Sequence, residues 1–167
     1  MKNVVSLADI SIRTDLRPGD IGYVIYMHGV LYGKEYQYGI QFETYVAKGL
    51  CEFYEEYDPR RNRVWICEHR EKIIGFLLLM DRNEAAQLRY FLIEPDYREI
   101  GLGSKLLNMY VAFLKECGYQ RSYLWTTHEL AAAASLYKRI GFQLTEEKGS
   151  TSFGKPLREQ RYDLILP

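Results

Sequence analysis

The residues best placed to do chemistry lie between Leu92 and Leu107, in the run Leu92-Ile93-Glu94-Pro95-Asp96-Tyr97-Arg98-Glu99-Ile100-Gly101-Leu102-Gly103-Ser104-Lys105-Leu106-Leu107. An apolar, strand-like run ends at Pro95, a polar loop follows, and Arg98-x-x-Gly101-x-Gly103 opens a stretch with helical spacing. A helix start carries unpaired N–H groups and partial positive charge, and glycine lets a ligand approach that backbone closely. Strand, glycine turn and helix N-terminus in this order suit a phosphate. The dinucleotide motif is excluded because its third glycine position is Leu106, and the P-loop because Gly103-Ser104-Lys105 has the wrong order and spacing. Arg/Gln-x-x-Gly-x-Gly/Ala after a strand remains. A glycine pair at a helix start also serves plain turn chemistry, so the surrounding elements decide.

Other chemistries find little support. His28, His69 and His128 lack metal-ligand spacing, and no Ser-His-Asp arrangement can be argued. Cys51, Cys67 and Cys117 are far apart and free of Cys-x-x-Cys, so they read as buried, reduced thiols of a cytoplasmic protein. Acidic and basic residues balance at 22 each, which gives no bulk attraction to nucleic acid or to an anionic membrane. No segment approaches the roughly 20 apolar residues of a membrane span, and Met1–Ser6 lacks the apolar core of an export signal. The 167 residues suit one domain with a sizeable core. Fifteen tyrosines, each with an apolar body and a polar tip, suit the rim of a groove or core.

The elements that must position the loop can be read in order. Ile10–Arg13 alternates as a short strand, and Pro18-Gly19-Asp20 starts a helix that Gly29 is expected to stop. The segment from His28 to Gly39, rich in glycine and aromatics, reads as a bend between two helices. Phe42, Val46, Leu50, Phe53 and Tyr57 then mark an amphipathic helix ending at Asp58-Pro59. Val64–Cys67, Ile73–Met80 and Gln87–Ile93 are three strands joined by short turns, an antiparallel meander. Leu102, Leu106, Met109, Phe113 and Cys117 share one helical face, closed by Gly118. Tyr123–Thr126 is a strand that the helical crossover makes parallel to the one before it. Ala131–Ile140 is a helix, and Phe142–Thr145 and Arg161–Leu166 are the last strands. The connection from Glu146 to Gln160 reads as a long functional loop. The order is β-α-α-β-β-β-α-β-α-β-β, without repeat, low-complexity tract or linker: an α/β (α+β) fold with a mixed, mostly antiparallel seven-stranded sheet and about four helices.

This order, with the glycine motif after the fourth strand, resembles the GNAT family of N-acetyltransferases. Leu136-Tyr137-Lys138-Arg139-Ile140-Gly141-Phe142 is similar to that family's Leu-Tyr-x-x-x-Gly-Phe signature, at the usual separation. The likeness covers roughly residues 8 to 166. His28-Gly-x-Leu-Tyr, Gln87-Leu-Arg, Leu124-Trp-Thr and Ser152-Phe-Gly resemble, more closely, acetyltransferase domains fused behind MarR-type regulators. Residues 1–167 would then be a single, stand-alone transferase domain.

The resemblance implies a sheet splayed between its fourth and fifth strands, where acetyl-CoA enters. Backbone groups of Leu92 and Ile93 would pair with the pantetheine arm. The amides of Arg98, Glu99, Ile100, Gly101, Leu102, Gly103 and Ser104 would cradle the pyrophosphate. Thr127 stands where relatives often place an asparagine that touches pantetheine. Tyr137 matches the tyrosine that protonates the departing CoA sulfur, with a core contact as its alternative. Direct attack in this family needs no metal.

The base is open. Histone-type relatives carry a glutamate at about the position of Gln87, which cannot take a proton. Glu94, Glu68, Glu35, His28 and His128 remain, acting directly or through water. The acceptor is expected to be a small primary amine or amino-acid-like molecule, in a groove shaped by His28, Tyr32, Tyr36, Arg89, Trp125 and Phe153. Arg89, pointing into such a groove, could hold a carboxylate through two hydrogen bonds, or lie on an exposed strand surface. The alternatives are a protein or peptide acceptor, or a non-catalytic acyl-CoA-binding module. Homodimers are common in the family, and the last strand is a candidate contact.

Overall fold

A computed structural model describes residues 4–167. Residues 1–3, at the start of the segment read as lacking an export signal, lie outside it. The elements are β1 (Ser11–Arg13), α1 (Asp20–Tyr36), α2 (Ile40–Glu55), β2 (Arg63–His69), β3 (Lys72–Asp81), β4 (Ala86–Ile93), α3 (Leu102–Glu116), β5 (Arg121–Thr127), α4 (Ala131–Arg139), β6 (Gln143–Ser150) and β7 (Leu157–Ile165). The strands form one seven-stranded sheet in the order β1-β2-β3-β4-β5-β7-β6. β4 and β5 run parallel and every other neighbouring pair is antiparallel.

β3 shows why the sheet sits in the middle. Its apolar run is unbroken because both faces are covered. Phe76, Leu78 and Met80 point to the side of α1 and α2, where Val24, Phe42, Val46, Leu50 and Phe53 meet them. Leu77 and Leu79 point to the other side, against Leu102, Leu106, Tyr110 and Leu114 of α3. The period-two alternation of a strand divides one sequence between two cores.

Two expectations about the elements fail. The first concerns the bend from His28 to Gly39. α1 runs straight through Gly29 and Gly33 to Tyr36, and the chain turns only at Gln37, which is left-handed at φ 59°. Each helical glycine costs about 1 kcal/mol relative to alanine, but Ile25, His28, Tyr32 and Tyr36 keep one continuous helical face. The close seat of α2 explains Gly29: a Cβ there would meet the Glu43 side chain. The second concerns the loop from Glu146 to Gln160. Most of it is strand, β6 and β7 pair from Gln143↔Asp163 to Ser150↔Leu157, and only residues 151–156 turn. β6 is a solvent-exposed edge strand, so it has no apolar alternation to read.

The thiol expectation is corrected in part. All three cysteines are free and Cys67 is buried, but Cys51 is exposed. It follows Leu50 on α2, one step off the apolar stripe. No helix is long and apolar enough to cross a membrane among the described residues.

Candidate functional site

The sheet opens where β4 meets β5. Only Ala86↔Ser122 and Gln87↔Tyr123 pair across this junction, and the strands then diverge. On the other edge of β4, the pairing with β3 shifts register between Phe76 and Leu78. The extra residue lies at Tyr90, which takes the left-handed φ of 57°. That conformation is an outlier for a bulky side chain and marks a bulge that re-aims its neighbours. The divergence and the bulge together make a cleft in the middle of the sheet.

A cavity of about 90 Å³ fills this cleft. His28, Tyr32, Tyr38, Phe42, Tyr45, Gln87, Arg89, Tyr90, Phe91, Trp125, Thr127, Tyr137, Phe153 and Glu159 are among its lining residues. Seven of the residues picked out from sequence therefore converge: His28, Tyr32, Arg89, Trp125, Thr127, Tyr137 and Phe153. Tyr36 does not line the cavity; its ring packs 5.4 Å from that of Tyr32 and 5.6 Å from that of Tyr38, behind the wall. Sequence reasoning missed Tyr38, Phe42, Tyr45, Tyr90 and Glu159. Phe42 sat in the apolar helical face read as plain core, and Glu159 fell in the segment read as loop.

Arg89 has no carboxylate partner among the described residues. Its guanidinium lies 4.7 Å from the Tyr90 ring centroid and 5.5 Å from that of Tyr45, and its nearest polar contact is the Met80 sulfur at 3.9 Å. Gly49 makes this seat possible: a Cβ there would lie 1.7 Å from the Tyr90 hydroxyl and 2.8 Å from Arg89 Nη2. The Tyr90 hydroxyl is buried with no hydrogen-bond partner among the described residues.

Tyr137 is 4% exposed and packs against Phe91, Phe142 and Tyr162, with ring centroids 6.0 to 6.2 Å away. Its hydroxyl has no hydrogen-bond partner among the described residues, and burial raises its pKa far above the ordinary phenol value. A phenol in this setting keeps its proton through neutral and alkaline pH. Thr127 is also buried, with its hydroxyl 2.6 Å from the hydroxyl of Tyr38.

The glycine loop lies outside the cavity, at the start of α3. Glu99 and Gly101 are left-handed, at φ 66° and 89°, on either side of Ile100. Such alternation turns backbone amides into one concavity that favours anions. Gly101 needs its handedness, because only Leu7 comes within 4 Å of a Cβ placed there. Gly103 needs its smallness: a Cβ would meet Leu136 at 2.9 Å and Phe91 at 3.4 Å. Leu92 and Ile93 lie between loop and cavity, past the last β4–β5 pair. The Ile93 carbonyl accepts from Arg98 Nε at 2.9 Å, and the Arg98 guanidinium pairs through two hydrogen bonds with Glu35 at 2.7 and 2.8 Å. That pair raises the Arg98 pKa.

The candidate bases are scattered. Glu94 pairs with Lys72, Glu68 with Arg13, and Glu35 with Arg98. His128 Nδ1 accepts the Arg158 amide at 3.1 Å, on an exposed loop. Gln87 lines the cavity, but its side-chain oxygen accepts from Arg82 at 2.9 Å. Of the five, His28 alone lines the cavity. No group of three His, Cys, Asp or Glu is arranged to hold a metal ion among the described residues.

The sequence profile described as the acetyltransferase (GNAT) family matches residues 23–142. An uncharacterised N-acetyltransferase, MJ1207, of Methanocaldococcus jannaschii is 28% identical over 125 residues, which are 70% of this chain and 55% of that protein. The chain thus spans about half the length of that relative. Another uncharacterised N-acetyltransferase, YjgM of Escherichia coli K12, is 28% identical over 64% of this chain and 68% of its own. Among solved structures, yncA of Salmonella typhimurium with acetyl-CoA superposes at a TM-score of 0.74, with 18% identity over 95% of each chain. The spermidine N-acetyltransferase of Vibrio cholerae with CoA and spermine gives 0.69, with 19% identity over 95% of this chain and 96% of that one. At these identities the structural likeness concerns the fold.

Proposed function

The chain belongs to the acetyltransferase (GNAT) family, and on that footing we propose that it transfers an acetyl group from acetyl-CoA to the primary amine of a small, carboxylated acceptor. The observation that carries the acceptor class is Arg89, a cation on an aromatic-walled cavity with no carboxylate partner of its own. A guanidinium so placed takes a carboxylate through two parallel hydrogen bonds.

The residues present fit acetyl-CoA. The left-handed backbone at Glu99 and Gly101 offers amides to a pyrophosphate at the α3 N-terminus. The edge of β4 at Leu92 and Ile93 lacks a β5 partner and can take an extended arm. Acetyl-CoA supplies the acetyl group as a thioester, activated toward an amine. The backbone from Arg98 to Ser104 holds the pyrophosphate, and Leu92, Ile93 and Thr127 align the arm. Tyr137 holds a proton on its hydroxyl, at the cavity, for the departing sulfur. Holding amine and thioester together in a dry cleft supplies several kcal/mol more.

The stretches around His28, Gln87, Leu124 and Phe153 support placing the chain with the transferase domains fused behind MarR-type regulators. Residues 1–167 act here as one transferase domain in the cytoplasm.

A thiol-release assay with an amine panel tests the proposal. Carboxylated amines are expected to turn over, and Arg89→Ala to raise their KM by about tenfold or more without changing acetyl-CoA affinity. An equal KM increase for amines lacking a carboxylate would refute the acceptor class. Acetyl-CoA binding without turnover of any amine would favour a non-catalytic module.

A further inference from the structure

We propose that His28 docks the acceptor amine: its Nε2 lone pair accepts the amine N–H and turns the nitrogen toward the thioester. This rests on the acetyl-transfer reading and supplies a free acceptor where the Gln87 oxygen is already taken by Arg82.

The tautomer follows from geometry. His28 Nδ1 lies 2.8 Å from the Val24 carbonyl, which only accepts, so Nδ1 carries the hydrogen. Nε2 is then a bare acceptor. It is buried and has no partner among the described residues, and leaving a buried polar group unpaired is costly. The ring is held on several sides: stacked 5.7 Å from Tyr32, edge-on 5.6 Å from Tyr90 and tilted 6.3 Å from Phe42. His28 is among the residues that line the cavity, as is Tyr90 at the bulge. Arg89, on the same cavity, packs its guanidinium on that same Tyr90 ring. Carboxylate and amine of one small acceptor can therefore be held on two sides of Tyr90.

Besides His28, the charged and titratable groups facing the cavity are Tyr32 from α1, Arg89 from β4, Glu159 from β7, Tyr45 from α2, Tyr38 from the α1–α2 joint, Tyr90 from β4 and Tyr137 from α4. Burial holds the imidazole down to about 4, so the lone pair is present throughout the neutral range. In the transfer, the nitrogen pair forms the C–N bond and the C–S pair leaves on sulfur. Tyr137 gives the sulfur its proton, the nitrogen sheds its own to solvent once the C–N bond has formed, and solvent returns one to Tyr137. Charge and protons balance over the cycle.

Two measurements on the full chain test this. Nitrogen-15 spectra of histidine-labelled protein should show a protonated Nδ1 and a bare Nε2. Adding L-phenylalanine, 2-phenylethylamine or spermidine with CoA should move the Nε2 resonance for whichever amine binds. A protonated Nε2, or a resonance unmoved by all three at saturation, overturns the assignment. In steady state, His28→Leu should lower kcat/KM roughly 100-fold with acetyl-CoA affinity unchanged, and His28→Asn, which keeps an acceptor oxygen, should recover most of it. A Leu variant as active as wild type overturns the proposal. So does an Asn variant as impaired as Leu, or a loss confined to Glu159→Gln. A wild-type chain that binds acetyl-CoA but acetylates nothing refutes the transfer reading instead, and the Nε2 resonance still decides whether His28 holds amines.

Discussion

The Tyr38 hydroxyl lies 2.6 Å from the Thr127 hydroxyl and ties the short joint between α1 and α2 to the last residue of β5. Both residues are buried, at 6% and 4% exposure. Tyr38→Phe leaves the Thr127 hydroxyl unpaired in a place water barely reaches. It is expected to cost about 1–2 kcal/mol, read as a lower urea midpoint with an unchanged slope.

Tyr137→Phe separates chemistry from packing. The ring stays in its aromatic nest, so melting temperature and acetyl-CoA affinity should hold. Turnover at saturating substrate should fall by about 10²-fold if the hydroxyl protonates sulfur. Burial raises the pKa of this phenol, so the wild-type rate should show no loss from Tyr137 ionisation up to the ordinary tyrosine range.

The two loop glycines fail for different reasons. Gly101→Ala forces a side chain onto a residue at φ 89°, at about 1–2 kcal/mol, and displaces the amides proposed to hold phosphate. Gly103→Ala keeps its helical backbone but drives a methyl group against Leu136, at about 1–3 kcal/mol of overpacking. Gly103→Ala combined with Leu136→Ala should recover stability, and Gly101→Ala with the same partner should not.

Glu35 holds the Arg98 side chain at the mouth of the anion loop. Glu35→Gln removes that competitor and one nearby negative charge. Acetyl-CoA should bind roughly two- to fivefold more tightly, the scale of a partly exposed ion pair. Calorimetry should show the gain shrinking as salt rises.

His28 makes the fold acid-sensitive. Its pKa is about 4 in the fold against an ordinary 6.5. The unfolded chain therefore takes up the proton first, and stability is lost as pH falls from about 6.5 toward 4. His28→Gln should flatten this loss by about 2 kcal/mol between pH 7 and 4.5, measured by urea unfolding at the two values.

The sequence disclosed the strands and helices wherever burial imposed a period. The meander from Val64 to Ile93 and the helix from Leu102 were legible because each presents an apolar face with regular spacing. The turn into α3 was legible through its glycines, although Gly103 is needed chiefly for its close approach to Leu136. What escaped notice lacked a local signal. α1 continues through Gly29 and Gly33 because α2 packs on it, a contact visible only in three dimensions. Beyond Thr145, β6 is polar on both faces, so nothing distinguishes that part from a loop. Tyr38, Tyr45 and Tyr90 join the cavity through a helix joint, a helix packed over a glycine notch, and a bulge. None of these three devices has a fixed spacing in sequence.

β7, the seventh strand in order, lies between β5 and β6 in the sheet. During synthesis β6 therefore emerges with no neighbour to pair with, and β5 waits beside it with an open edge. Pairing across such sequence distances is slow, and open edges invite association between chains. The charged run Glu146-Glu147-Lys148 on β6 disfavours such association. The polar character that hid residues 146–150 in the sequence also makes that edge a poor template for other chains until its partner strand arrives.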